Sequence, residues 1–170
     1  MNFSSKIKQN KARILNIWIK KFTDTYSEQS AKFFRDNQGQ FSNPVGYTFR
    51  VNMEKIFDEL FLDNDPEKMS EFVDGITRIR AVQGFTPSVS VSFVPMLRES
   101  IWEVCGREIA REGMHQEWLE LNVRLEELMQ LAFDNYMSCR EQLWKQRADF
   151  LHSRTHKLLE RAGFITKAGK

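Results

Sequence analysis

The chain has 170 residues, 41% of them hydrophobic and 28% charged, with 14 Phe and 4 Trp. That is enough for one domain to bury about 70% of its unfolded surface, and the composition is too apolar for disorder. No run reaches the roughly 18 to 20 apolar residues of a membrane span. The lysine-bearing start MNFSSKIKQNKARIL lacks the apolar run and cleavage site of a targeting peptide. A cytoplasmic protein without a membrane partner is expected.

The net charge of +2 conceals a division. Residues 1 to 22 carry six Lys/Arg and no acid, residues 23 to 137 carry 11 bases against 20 acids, and residues 138 to 170 carry eight bases against three acids. An acidic body between basic ends suggests an interaction surface.

Helical periodicity dominates and no alternating strand pattern stands out. Ile7, Ala12, Ile14, Leu15, Trp18, Ile19, Phe22 and Tyr26 share one face of a first helix. Residues 27 to 42, polar but anchored by Phe33, Phe34 and Phe41, read as a connection holding a short helix. Three starts then repeat one pattern, a capping residue followed by proline: Asn43-Pro44, Asp65-Pro66 and Thr86-Pro87. The first of these helices runs to about Leu62, the second stops at Gly84, and the third reaches Gly113 with a kink expected at Pro95.

From Met114 to Ala162 there is neither Gly nor Pro. A helix of that length would extend about 70 Å. Its first half is apolar on several sides, as for burial. Its second half narrows to a stripe, Met137, Glu141, Trp144, Ala148, Leu151, Thr155, Leu158 and Ala162. The pattern predicts an all-α bundle with a long C-terminal helix. Residues 1–138 form the globular unit and residues 139–170 the projecting helix and tail. Trp144, Ala148, Leu151, Thr155 and Leu158 are the expected homodimer or partner interface.

Chemistry is sparse. The three histidines are His115, His152 and His156. The last two sit one helical turn apart, but HSRTH brings no third ligand, so no metal site is expected. Residues 66 to 83, the helix best placed to supply a proximal haem ligand, contain no histidine. No cofactor is expected. Serine elbows, Cys-His pairings and phosphate loops are missing from the pattern, so catalysis is not expected. Cys105 and Cys139 fall within helical patterns as small buried hydrophobes. The basic N-terminal helix lacks any nucleic-acid motif beside its acidic neighbour, which excludes nucleic acid as the expected partner.

The least generic stretch is Arg78-Ile79-Arg80-Ala81-Val82-Gln83-Gly84-Phe85-Thr86-Pro87-Ser88. Gly84, Thr86 and Pro87 suit a helix stop and restart. Arg78, Arg80 and Gln83 are polar donors at that helix end. They either bond the exposed carbonyls or face a small anionic ligand, and are the candidate ligand-binding residues.

This stretch, with Asn43-Pro44-Val45-Gly46 and the early Trp18, resembles the N-terminal domain of RsbRD-type proteins, co-antagonists of the bacterial stressosome, over about residues 10 to 135. The resemblance implies a non-haem globin-like fold, a dimer and a sensory role in stress signalling. In such proteins the long final helix leads to a STAS domain that binds the switch kinase. These 170 residues stop soon after that helix, and the expectation is a free-standing sensor or adaptor acting on an unidentified regulatory protein. An accessory protein of a metabolic complex, binding a small molecule, is the alternative.

Overall fold

A computed structural model describes residues 2–36, 38–62 and 64–165. Among them are eight helices and no strand: α1 (Phe3–Gln9), α2 (Lys11–Thr23), α3 (Glu28–Asp36), α4 (Pro44–Leu60), α5 (Pro66–Val82), α6 (Pro87–Ser90), α7 (Phe93–Arg111) and α8 (His115–Arg161).

The capping pattern works as the sequence predicts at two starts. The Asn43 side chain accepts from Gly46 N–H at 2.9 Å, and Asp65 accepts from Glu67 and Lys68. At Thr86 the backbone turns without a side-chain cap bond.

Two expectations need correction. The single first helix is two, because Asn10 adopts a non-helical ψ of 7° and its amide donates to the Lys6 carbonyl at 3.0 Å. Such a side chain competes for the carbonyls that the helix ladder would use. The kink expected at Pro95 does not occur there. The chain already breaks at Val91–Ser92 and restarts at Phe93, so Pro95 lies in the first turn of α7. A missing N–H costs little in that turn, where amides have no helical acceptor.

The core is a stack of paired helices. α4 packs on α5, α2 on α7, and the proximal half of α8 lies across both α5 and α7. Trp18, Phe22, Phe57, Phe93, Ile76, Leu97 and Leu125 are among the residues buried in one cluster. Trp18 Nε1 donates to the Phe93 carbonyl at 2.6 Å, so the largest core side chain keeps its polar atom bonded. Gly75 marks a close approach of α5 to α4, since a Cβ there would lie 2.5 Å from Asn52 Nδ2. Cys105 and Cys139 are buried free thiols. The arrangement is an all-α, globin-like fold with a long C-terminal helix.

α8 changes character along its length. Leu121, Leu125, Leu128, Ala132, Tyr136 and Cys139 are buried, and beyond Cys139 no described side chain is. Trp144, Phe150, Leu151 and Leu158 are each at least 56% exposed. Side chains of that kind would each gain about 1.5–3 kcal/mol on full burial.

Candidate functional site

The turn between α5 and α6 holds a cation in an unusual place. Arg80 is fully buried and forms no ion pair among the described residues. Its guanidinium carbon lies 4.0 Å from the Phe22 ring centre, 4.8 Å from Phe85 and 5.2 Å from Tyr26. Nη1 donates to the Val89 carbonyl at 2.6 Å, and Nη2 to Thr25 Oγ1 at 2.5 Å. Nε has no partner, and neither has the nearby buried hydroxyl of Ser90. Burial pushes the guanidinium below its ordinary pKa, because desolvation disfavours the charged form.

The turn that closes this cage follows from local sequence. Arg80 occupies the last turn of α5, where a cation meets the negative end of the helix. Gly84 then takes a φ of +81°, which turns the chain so that Phe85 folds back over the guanidinium. Tyr26, just past α2, packs edge-on against Phe34 and Phe85 and donates to Gln83 Oε1 at 2.8 Å. Desolvation raises its phenol above the ordinary range, opposed by the Arg80 charge. Outside this wall lies a cleft of about 520 Å³ lined by Phe33, Phe34, Ser42, Pro44, Val45 and Gln83.

The structure separates the three polar residues singled out in the sequence. Arg80 and Gln83 both meet Tyr26. Arg78 is exposed on another face and pairs with Asp74 at 2.9 Å. Thr25, Tyr26 and Val89 escaped sequence reasoning because they come from other elements and carry no motif.

The cage is fastened to α8. Tyr136 OH donates to the Phe85 carbonyl, and Arg140 Nη1 to the Ala81 carbonyl at 3.2 Å. These bonds hold the end of α5 and the Gly84 turn against the helix at the point where it leaves the body. Beyond it, Trp144, Ala148, Leu151, Thr155 and Leu158 are all exposed. A second exposed apolar group, Trp102, Leu119 and Val123, lies on α7 and proximal α8, where the Trp102 ring packs at a tilt against Trp118, 5.0 Å between centres.

The histidines stand apart from the cage. His115 opens α8 and is exposed; His152 and His156 stack at 6.5 Å on the projecting half, where His156 Nε2 lies 3.4 Å from Glu160 Oε1. Among the described residues no cluster of His, Cys, Asp and Glu has the makings of a metal site, and no helix is long and apolar enough to cross a membrane.

A globin-like body with a projecting helix and an enclosed polar turn behind its exit point has the build of a regulatory helical module. The family model of the RsbT co-antagonist protein rsbRD N-terminal domain matches residues 13–150, and the chain belongs to that family, whose members are regulatory components of the stressosome. The match extends further along α8 than the motifs alone indicate. No curated protein and no solved structure matches the chain.

Proposed function

We propose that this chain is a non-catalytic, non-haem sensory module that dimerises and passes a signal along α8 to a regulatory protein. Residues 1–138 form the sensing unit, and the segment from 139 onward is its output. The carrying observation is the buried Arg80, a cation with no ion pair among the described residues, whose turn is hydrogen-bonded to the exit of α8 by Tyr136 and Arg140. A small anion that reached it from the neighbouring cleft would supply the missing countercharge. Displacing the Tyr26–Gln83 bond would then shift the Gly84 turn and the start of the output helix.

The dimer contact combines the stripe Trp144, Ala148, Leu151, Thr155 and Leu158 with the body patch at Trp102, Leu119 and Val123. Support comes from the exposed apolar area, which a lone copy leaves in water. The test has two arms. Sedimentation velocity at tens of micromolar should give a dimer for the full chain and a weaker one for a chain ending at Ser138; monomers in both cases refute dimerisation. A thermal-shift panel of acetate, benzoate, citrate and inorganic phosphate should raise the Tm for at least one anion, and Arg80→Met should abolish the rise. A flat panel refutes the anion sensor.

A further inference from the structure

The distal half of α8 carries a second regularity. Arg140, Arg147, Arg154 and Arg161 recur every seven residues. Seven residues are nearly two helical turns, with a slip of only about 20°, so these side chains form one ridge. Apolar residues surround it. On a helix surface the neighbours of a residue are those three and four positions away. For Arg147 these are Leu143, Trp144, Phe150 and Leu151, all four apolar; for Arg154 they include Phe150, Leu151 and Leu158. Arg140 and Arg147 both lie 5.8 Å from the Trp144 ring centre. Further along, Phe150, Arg154, Lys157, Leu158 and Arg161 edge a hollow of about 390 Å³.

Arg147, Arg154 and Arg161 are exposed and form no ion pair among the described residues. The acids of this segment, Glu141, Asp149 and Glu160, are not among the four surface neighbours of Arg147. Charges that serve only solubility belong on the face opposite the apolar one. Here the cations run through the middle of it.

We propose that this ridge docks an acidic amphipathic helix of a partner protein, one with Asp or Glu at heptad spacing and apolar residues three and four positions to either side. Paired with it, Arg147, Arg154 and Arg161 each meet a carboxylate while the flanking apolar side chains close around the pair, where charge-assisted bonds gain strength. Specificity comes from register, because a shift of the acids by two positions leaves both charges against apolar side chains. A second copy fits poorly, since parallel in-register pairing sets the ridge against its own like charge. A lipid surface fits poorly as well: inserting Trp144, Phe150 and Leu151 would carry Arg147 in with them. The seam lies beside the dimer stripe, towards Leu143 and Phe150, so both faces serve one helix.

This inference rests on the proposed output role of α8 and names the chemistry of the partner; the sedimentation and anion tests probe the body and stripe, and do not depend on it. The experiment uses the full chain with a labelled synthetic helix of four heptads, Glu once per heptad between leucines. A control peptide of the same composition carries its Glu residues on the opposite face. Fluorescence anisotropy near physiological salt should show the first peptide binding at least about tenfold more tightly than the control. The double variant Arg147→Glu/Arg154→Glu, whose positions are solvent-facing, should lose about that factor and regain it with a peptide bearing Arg in place of Glu. Equal binding of the two peptides, undiminished binding by the double variant, or tighter binding to phosphatidylserine vesicles than to the matched peptide would each overturn the proposal.

Discussion

Arg80 and Arg147 are the same side chain in opposite surroundings. Arg80 is sealed among Phe22, Tyr26 and Phe85 and holds two hydrogen bonds without a carboxylate. Arg147 stands in water, and three of its four apolar neighbours, Trp144, Phe150 and Leu151, are exposed as well. In the first case burial came with folding, and the ring faces and the α5 terminus stabilise a charge that desolvation penalises. In the second the desolvation has yet to happen and needs a partner. One arginine is therefore a matter of the fold's own stability, the other of association.

The sharpest way to break this contrast is at Arg80. Arg80→Ala empties the cage and strips Thr25 and Val89 of a donor; by the cost of large-to-small core changes it should lose about 3 kcal/mol in urea unfolding. Arg80→Met refills most of the volume and removes the buried charge. It also leaves Thr25 and Val89 without their donor, but with the volume filled it should be about 1–2 kcal/mol more stable than the Ala variant. A Met variant as unstable as the Ala variant would show that the charge itself, and not the filled volume, holds the turn.

Alkaline pH probes the same cage through Tyr26. Its folded phenol is raised above the ordinary value of 10.0 by desolvation. Below pH 10 both states are protonated and nothing is lost. As pH rises past 10 the unfolded chain releases this proton while the folded cage retains it, so stability falls until the folded phenol also ionises. Tyr26→Phe should remove that part of the alkaline loss in unfolding curves taken at increasing pH. An unchanged pH dependence would place the phenol in ordinary solvent.

Much of the fold was legible because it rests on local rules. Asn43-Pro44 and Asp65-Pro66 announced their helices, and the apolar faces around Trp18, Ile56 and Ile76 announced the core. The misreadings came where two rules competed. Around Asn10 the helical period continues, but the amide side chain takes a carbonyl; at Pro95 the expected break was read from the proline, while the chain had already turned at Val91. The site was half legible. Arg80 and Gln83 stood out as polar residues at a helix end, but the cage depends on Phe22, Thr25 and Tyr26, more than 50 residues earlier in the chain, which no spacing rule joins to them. The arginine ridge was present in the sequence as a seven-residue repeat. It was obscured because reading for apolar positions passes over a charge that shares their face.

The bonds that join cage to helix should matter less than the cage. Tyr136→Phe deletes the hydroxyl that donates to the Phe85 carbonyl and should cost about 1 kcal/mol. It should also speed hydrogen exchange at residues 137–142 without affecting the α2–α7 pair. Uniform acceleration through the chain would mean general loosening in place of a local joint. Gly84→Ala belongs to the same order. A side chain at φ +81° is strained, and the αL position should cost about 1 kcal/mol in urea unfolding.

The smallest effect on stability is expected on the projecting half of α8. Trp144 is 60% exposed, so Trp144→Ala measured on dilute, monomeric protein should shift unfolding by less than about 0.5 kcal/mol. The same change removes the largest side chain shared by the dimer stripe and the arginine ridge. In sedimentation at tens of micromolar it should therefore weaken self-association, and in the peptide assay it should weaken docking, both by far more than it alters folding. Arg147→Ala separates these two readouts, because Arg147 belongs to the ridge and lies at the edge of the stripe. It should reduce peptide binding and leave the dimer nearly intact. If Arg147→Ala and Trp144→Ala weaken the dimer equally, the two faces are one surface, and the output helix has a single partner at a time.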